Sequence, residues 1–149
     1  MIKYIFIIFL GLSACVLDDD VRKLNAAFDK STVEIQTRGE TISIPVYLAN
    51  THERRKQGLM HVEKLPEGTG MYFVFDEAKV NKFWMKNTLI PLDILFVTSG
   101  NVVSYIEHSR QPMDETPFGP DHASLYALVI NAGEARELGI HVGDVIVIQ

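Results

Sequence analysis

The chain predicts a mainly β protein, a compact sandwich or barrel-like domain interrupted by two short α-helices. Many short apolar segments alternate with polar residues at a period of two. Gly, Pro, Asn and Ser clusters separate these segments at close intervals. Between them stand two segments that carry helix start and stop residues but have room for only one or two turns.

The elements follow in order. Val33 and Ile35 alternate with polar neighbours from Thr32 to Gln36. Ile42, Ile44, Val46 and Leu48 alternate with Thr41, Ser43 and Tyr47, and Pro45 marks an edge or a bulge. Strands are also expected at Met71–Phe75, Lys82–Met85, Asp93–Thr98, Asn101–Glu107, Ser124–Ile130 and Asp144–Ile148. Ser99-Gly100 reads as the hairpin turn between two of them. The helices are expected near Thr51–Gln57 and Gly133–Leu138. Asn50 would cap the first, with Glu53 at N3 and Gly58 as the stop; Asn131, Glu134 and Gly139 repeat that spacing. The segment Gln111–His122, with Pro112, Pro117 and Pro120, reads as a loop.

The N-terminal segment carries an address. Lys3 precedes the apolar stretch Tyr4–Ala14. It is too short for a helix crossing a hydrocarbon core of about 30 Å, but it suits a signal-peptide core. The stretch ends Leu12-Ser13-Ala14-Cys15, which resembles the bacterial lipobox. That resemblance implies lipid on Cys15, cleavage before it and membrane anchorage in the cell envelope. Cys15 is the only Cys, so no intramolecular disulfide forms. The expected organisation is a signal peptide over 1–14, a lipid-bearing Cys and solvated acidic tether over 15–31, and one β-rich domain over 32–149. A net charge of −5 gives no electrostatic footprint for nucleic acid.

A longer resemblance begins at about Thr32. Glu53-Arg54 with Gly58-Leu59-Met60, Gly70-Met71 with Phe73-Val74-Phe75, and Phe83-Trp84-Met85-Lys86-Asn87-Thr88 with Ile90-Pro91-Leu92-Asp93 carry it, together with Asn131-Ala132-Gly133, Gly139 and Gly143-Asp144. These resemble the "domain of unknown function 192" family. The resemblance implies a compact β-rich domain, often secreted or membrane-anchored in bacteria, with no activity to carry over. Family members often place Glu two residues before the Asn of Asn-Ala-Gly; this chain has Val129 there.

The candidate site lies in the block Phe83–Phe96, where Lys86, Asn87 and Asp93 interrupt an apolar run that contains the only Trp. Such runs exclude Lys, Asn and Asp unless these are paired or face a pocket. In one reading Arg54, Lys86, Asn87 and Asp93 converge on a polar or anionic ligand, with Asp93 as base or cation holder. In the other, Asn87 and Asp93 hydrogen-bond the turn backbone beside Pro91. Trp84 is expected to be mostly buried against Met60 or Met71. Met60, Met71, Trp84 and Met85 are also soft groups that suit Cu(I), with His52 and His61 nearby, but without paired spacing. No catalytic or phosphate-binding motif is present. The expectation is an envelope module without a cofactor that binds a small polar ligand or an envelope protein. An enzyme of hydrolase or isomerase type using Asp93 and Lys86 is the alternative, and a copper-binding protein a minor one.

Overall fold

The computed structural model of the protein describes residues 18–149. The elements run α1 (Asp19–Ala27), β1 (Asp29–Gln36), β2 (Thr41–Ala49), α2 (His52–Gln57), β3 (Gly70–Lys79), β4 (Leu92–Val97), β5 (Val103–Arg110), β6 (Ser124–Asn131), α3 (Glu134–Glu137) and β7 (Val145–Ile148). The strands form one seven-stranded sheet in the order β5-β4-β6-β3-β2-β1-β7. β2 and β3 pair in parallel, and the other neighbours pair antiparallel. A parallel pair needs a crossover connection, which α2 and the loop behind it provide. The mainly β expectation holds.

The sheet curls without closing into a barrel. Its two ends meet at one point, where Val102 bridges Val145. There Val103 N donates to Asp144 O at 2.8 Å and Ile146 N donates to Asn101 O at 2.9 Å.

Period-two alternation feeds two cores, one on each face of the sheet. Leu92, Ile94 and Phe96 of β4 join Met71, Phe73, Ala127 and Val129 in one. Leu95 and Val97 join Val33, Ile35, Tyr72, Leu128, Ile130 and Ile146 in the other. All six residues of β4 are therefore buried, which is why its sequence reads as continuously apolar apart from Asp93.

Asp93 is fully buried on the second face. Its Oδ1 accepts from Ser109 N at 2.7 Å. Its Oδ2 accepts from Gly133 N at 3.0 Å and Ala135 N at 3.1 Å. The β4–β5 register slips beside it, and Ser109 adopts φ 51° at the slip. The carboxylate thus holds a bulge on one side and the N-terminus of α3 on the other.

Four local expectations change. The acidic run after Asp18 is not a solvated tether: Asp18 caps α1, and its Oδ1 accepts from Asp20 N. Asp20 is buried and accepts from Glu63 N at 3.0 Å and Lys64 N at 2.9 Å, while Leu24 and Phe28 enter the first core. Lys82–Met85 is no strand but is held by a single bridge from Phe83 to Phe118. The cap of α2 is Thr51, whose Oγ1 accepts from Arg54 N at 3.2 Å, and Asn50 instead accepts from the Arg54 guanidinium. Asn131 does not cap α3. Glu134 reaches back to Asn131 N as a capping box would, but Asp93 takes the free helix N–H groups.

Two outcomes follow. Thr51→Ala should lower stability by about 1 kcal/mol, as loss of a cap does, whereas Asn50→Ala should leave the cap itself intact. Asp93→Ala should cost roughly 3–5 kcal/mol, because it strands buried backbone donors. Urea unfolding midpoints of the three variants check both.

Candidate functional site

A cleft of about 140 Å³ opens between α2, β3 and the loop that follows Lys82. Its lining is largely apolar, from Leu59, Met60, Phe75, Phe83, Trp84 and Met85. Ile94 and Val129 of the sheet form part of its floor. The Phe83 ring organises it, with edge contacts to Phe73 at 5.0 Å, Phe96 at 5.3 Å and Phe75 at 6.1 Å between centroids. The charged residues of the lining, Arg55, Lys56, Lys82 and Lys86, are all cationic.

These cations differ in how far they are committed. Arg55 donates to Val74 O and to Asp76, each at 2.8 Å. Lys82 donates to Gly119 O at 2.7 Å, Pro120 O at 3.0 Å and Asp121 at 2.8 Å, and its ammonium lowers the Asp121 pKa. Lys86 is less constrained. Its Nζ lies 5.1 Å from the Trp84 ring centroid and 3.8 Å from Glu115. An ammonium over an indole face is attracted by the ring quadrupole.

The four expected site residues do not converge. Lys86 lines the cleft. Arg54 turns away and binds Asp29 at 2.7 Å, Asn50 at 3.1 Å and Ala27 O at 3.2 Å, tying α2 to the start of β1. That guanidinium lowers the Asp29 pKa through its hydrogen bond and its charge. Asn87 takes φ 52° in the loop, and its carbonyl accepts from His61 N at 2.9 Å. Asp93 sits inside the fold with both oxygens engaged by backbone. Cys15 lies outside the described residues.

Trp84 is 48% exposed, which corrects the expectation of burial. Phe83 and Met85 turn inward and Trp84, between them, turns to the opposite side, but that side faces solvent because no further strand or loop covers it there. Met85 is buried and lines the cleft, as does Met60, whereas Met71 is buried and is not part of the lining. The soft groups named for Cu(I) are therefore divided between cleft and core. Among the described residues no three His, Cys, Asp or Glu gather as a metal cluster, and no helix is long and apolar enough to cross a membrane.

The cleft residues Arg55, Lys56 and Lys82 were not legible in the sequence, because α2 and the segment after β3 meet only in the tertiary fold. Nor was Val129 legible as part of the floor. Its side chain presents methyl groups to the cleft.

No curated protein matches the chain. A crystal structure from Sinorhizobium meliloti 1021, of a proposed transcription regulator, is similar at 34% identity with a TM-score of 0.79, covering 81% of this chain and 95% of that one. A protein of unknown function from Novosphingobium aromaticivorans DSM 12444 is similar at 35% identity with a TM-score of 0.75, covering 78% of this chain and 83% of that one. The profile of DUF192, described as "Uncharacterized ACR", matches residues 33–148. The chain belongs to the DUF192 family.

Proposed function

We propose that the protein is a bacterial cell-envelope lipoprotein, anchored through Cys15, whose domain is a non-catalytic module binding a small ligand with an apolar body and an anionic group. The cleft carries this reading: its walls are aromatic and aliphatic, and its charged lining residues are cations alone. Its volume of about 140 Å³ is close to the roughly 150 Å³ that accommodates a benzene ring. The ligand class is therefore a small aromatic or short acyl carboxylate or phosphate. Lys86 and Lys56 supply the charge, since Arg55 and Lys82 are held by backbone carbonyls and carboxylates.

The enzyme reading needs Asp93 as a base beside Lys86. Asp93 is not part of the cleft lining, and its oxygens are occupied by three N–H donors. The description of the Sinorhizobium meliloti neighbour does not transfer, because a chain of net charge −5 lacks the basic balance that nucleic-acid binding draws on.

Thermal melts with benzoate, phenyl phosphate and benzyl alcohol test the binding reading. A bound anion at about ten times its Kd should raise Tm by roughly 3–6 °C, and Lys86→Gln should shrink that shift. Equal shifts from benzyl alcohol, or none from either anion, would contradict it.

A further inference from the structure

We propose that the cleft rim bearing Trp84, Leu89 and Met113 is seated in the interfacial layer of the membrane that anchors the chain. The inference rests on the lipid attachment proposed above for Cys15. Trp84 is 48% exposed, Leu89 43% and Met113 55%. All three stand on two loops that are laced together. Phe83 and Phe118 exchange backbone hydrogen bonds at 2.9 Å in both directions. Met85 N donates to Asp114 O at 2.7 Å, and Met113 N donates to Thr88 O at 3.0 Å. Among the described residues the other exposed large apolar side chains are Val80, which precedes the first of these loops, and Val102, Tyr105 and Val142 elsewhere in the chain.

The backbone of this rim is bent at a cost. Asn87 has φ 52°, Met113 φ 63° and His61 φ 63°, and His61 N donates to Asn87 O. Positive φ is unfavourable for residues other than Gly and persists where the surroundings enforce it. Here it holds apolar side chains outward on a fixed ribbon.

The length of the link selects the membrane as occupant. Only Val16 and Leu17 separate Cys15 from Asp18, the cap of α1. Three residue steps span at most about 10 Å, so an acylated Cys15 holds the domain against the lipid surface. The first turn of α1 is in turn fixed beside the rim: Asp20 binds Glu63 N and Lys64 N, and His61, two residues before Glu63, binds Asn87 O. The rim chemistry fits that layer. An indole with its polar edge, here with the half-exposed Lys86 ammonium 5.1 Å from its ring centroid, belongs to the amphipathic groups that settle at a membrane–water interface. Trp84 and Lys86 also line the cleft, so the cleft mouth would open at headgroup level.

Trp84 is the only Trp and reports its own surroundings. The mature chain, purified from membranes and reconstituted in phosphatidylcholine vesicles with brominated acyl chains, should show Trp84 emission that is shifted to the blue and quenched. Unbrominated vesicles should show the shift without the quenching. The double variant Leu89→Asp, Met113→Asp should lose both effects while keeping the melting temperature of a folded domain. Lipid on Cys15 by mass spectrometry, with Trp84 emission as in water, would overturn the seating and leave the anchor standing. Cys15 without lipid would overturn both. Quenching unchanged in the double variant would overturn the assignment to this rim. So would Trp84 that stays water-like in vesicles and shifts only when envelope proteins are added, since the rim would then dock protein.

Discussion

A carboxylate with no access to water is the constraint around which this fold is arranged. An isolated buried charge is strongly disfavoured, and enough aligned donors reverse that penalty. Asp93 meets three, from Ser109, Gly133 and Ala135. One carboxylate therefore fixes the slip in β5 and starts a helix of only four residues that has no side-chain cap of its own. A helix that short does not persist on intrinsic propensity. Behind α3, Ile140 and Ile146 enter the second core and β7 reaches the seam with Val102. The opposite face of β4 gives Leu92 and Ile94 to the cleft. Seam and cleft floor are thus referred to the same strand, and Asp93 fixes its surroundings.

The strands were legible because period-two alternation needs only local residues. β1, β2, β3, β4, β5, β6 and β7 all lie where alternation or a short apolar run placed them. Both expected helices exist, and Gly58 ends α2, with a positive φ of 48° but a ψ of −133° that lies outside the left-handed helical region expected of such a stop. The α2 cap moved by one residue, from Asn50 to Thr51, because Asn50 is engaged by Arg54; the other failures were assignments that depend on distant partners. The α3 cap was assigned to Asn131 because a sequence shows neighbours, and the acceptor for that helix stands some 40 positions away. The helix α1 left a signal in Asp18 as cap and in the spacing of Val21, Leu24 and Phe28. The acidic run obscured it, because a buried Asp20 that binds two amides looks in sequence like a solvated charge.

The site was half legible. The block Phe83–Phe96 does combine a structural centre and a working surface, but these lie apart. Asp93 belongs to the interior, Arg54 to a junction with Asp29, and Lys86 to the cleft. The cation set and the apolar Val129 floor come from separate elements that only the tertiary fold assembles. That combination of apolar body and cationic mouth is the basis for a ligand that is itself amphipathic and anionic.

Native-state hydrogen exchange tests the role of Asp93 most directly. The amides of Ser109, Gly133 and Ala135 lie in a bulge and at the start of a four-residue helix, places where exchange is ordinarily fast. If the carboxylate holds them, they should exchange only through global unfolding, with the same free energy of opening as the β4 and β6 amides. Exchange of these three amides at the rate of the loop Gln111–Phe118, while β4 remains protected, would contradict it.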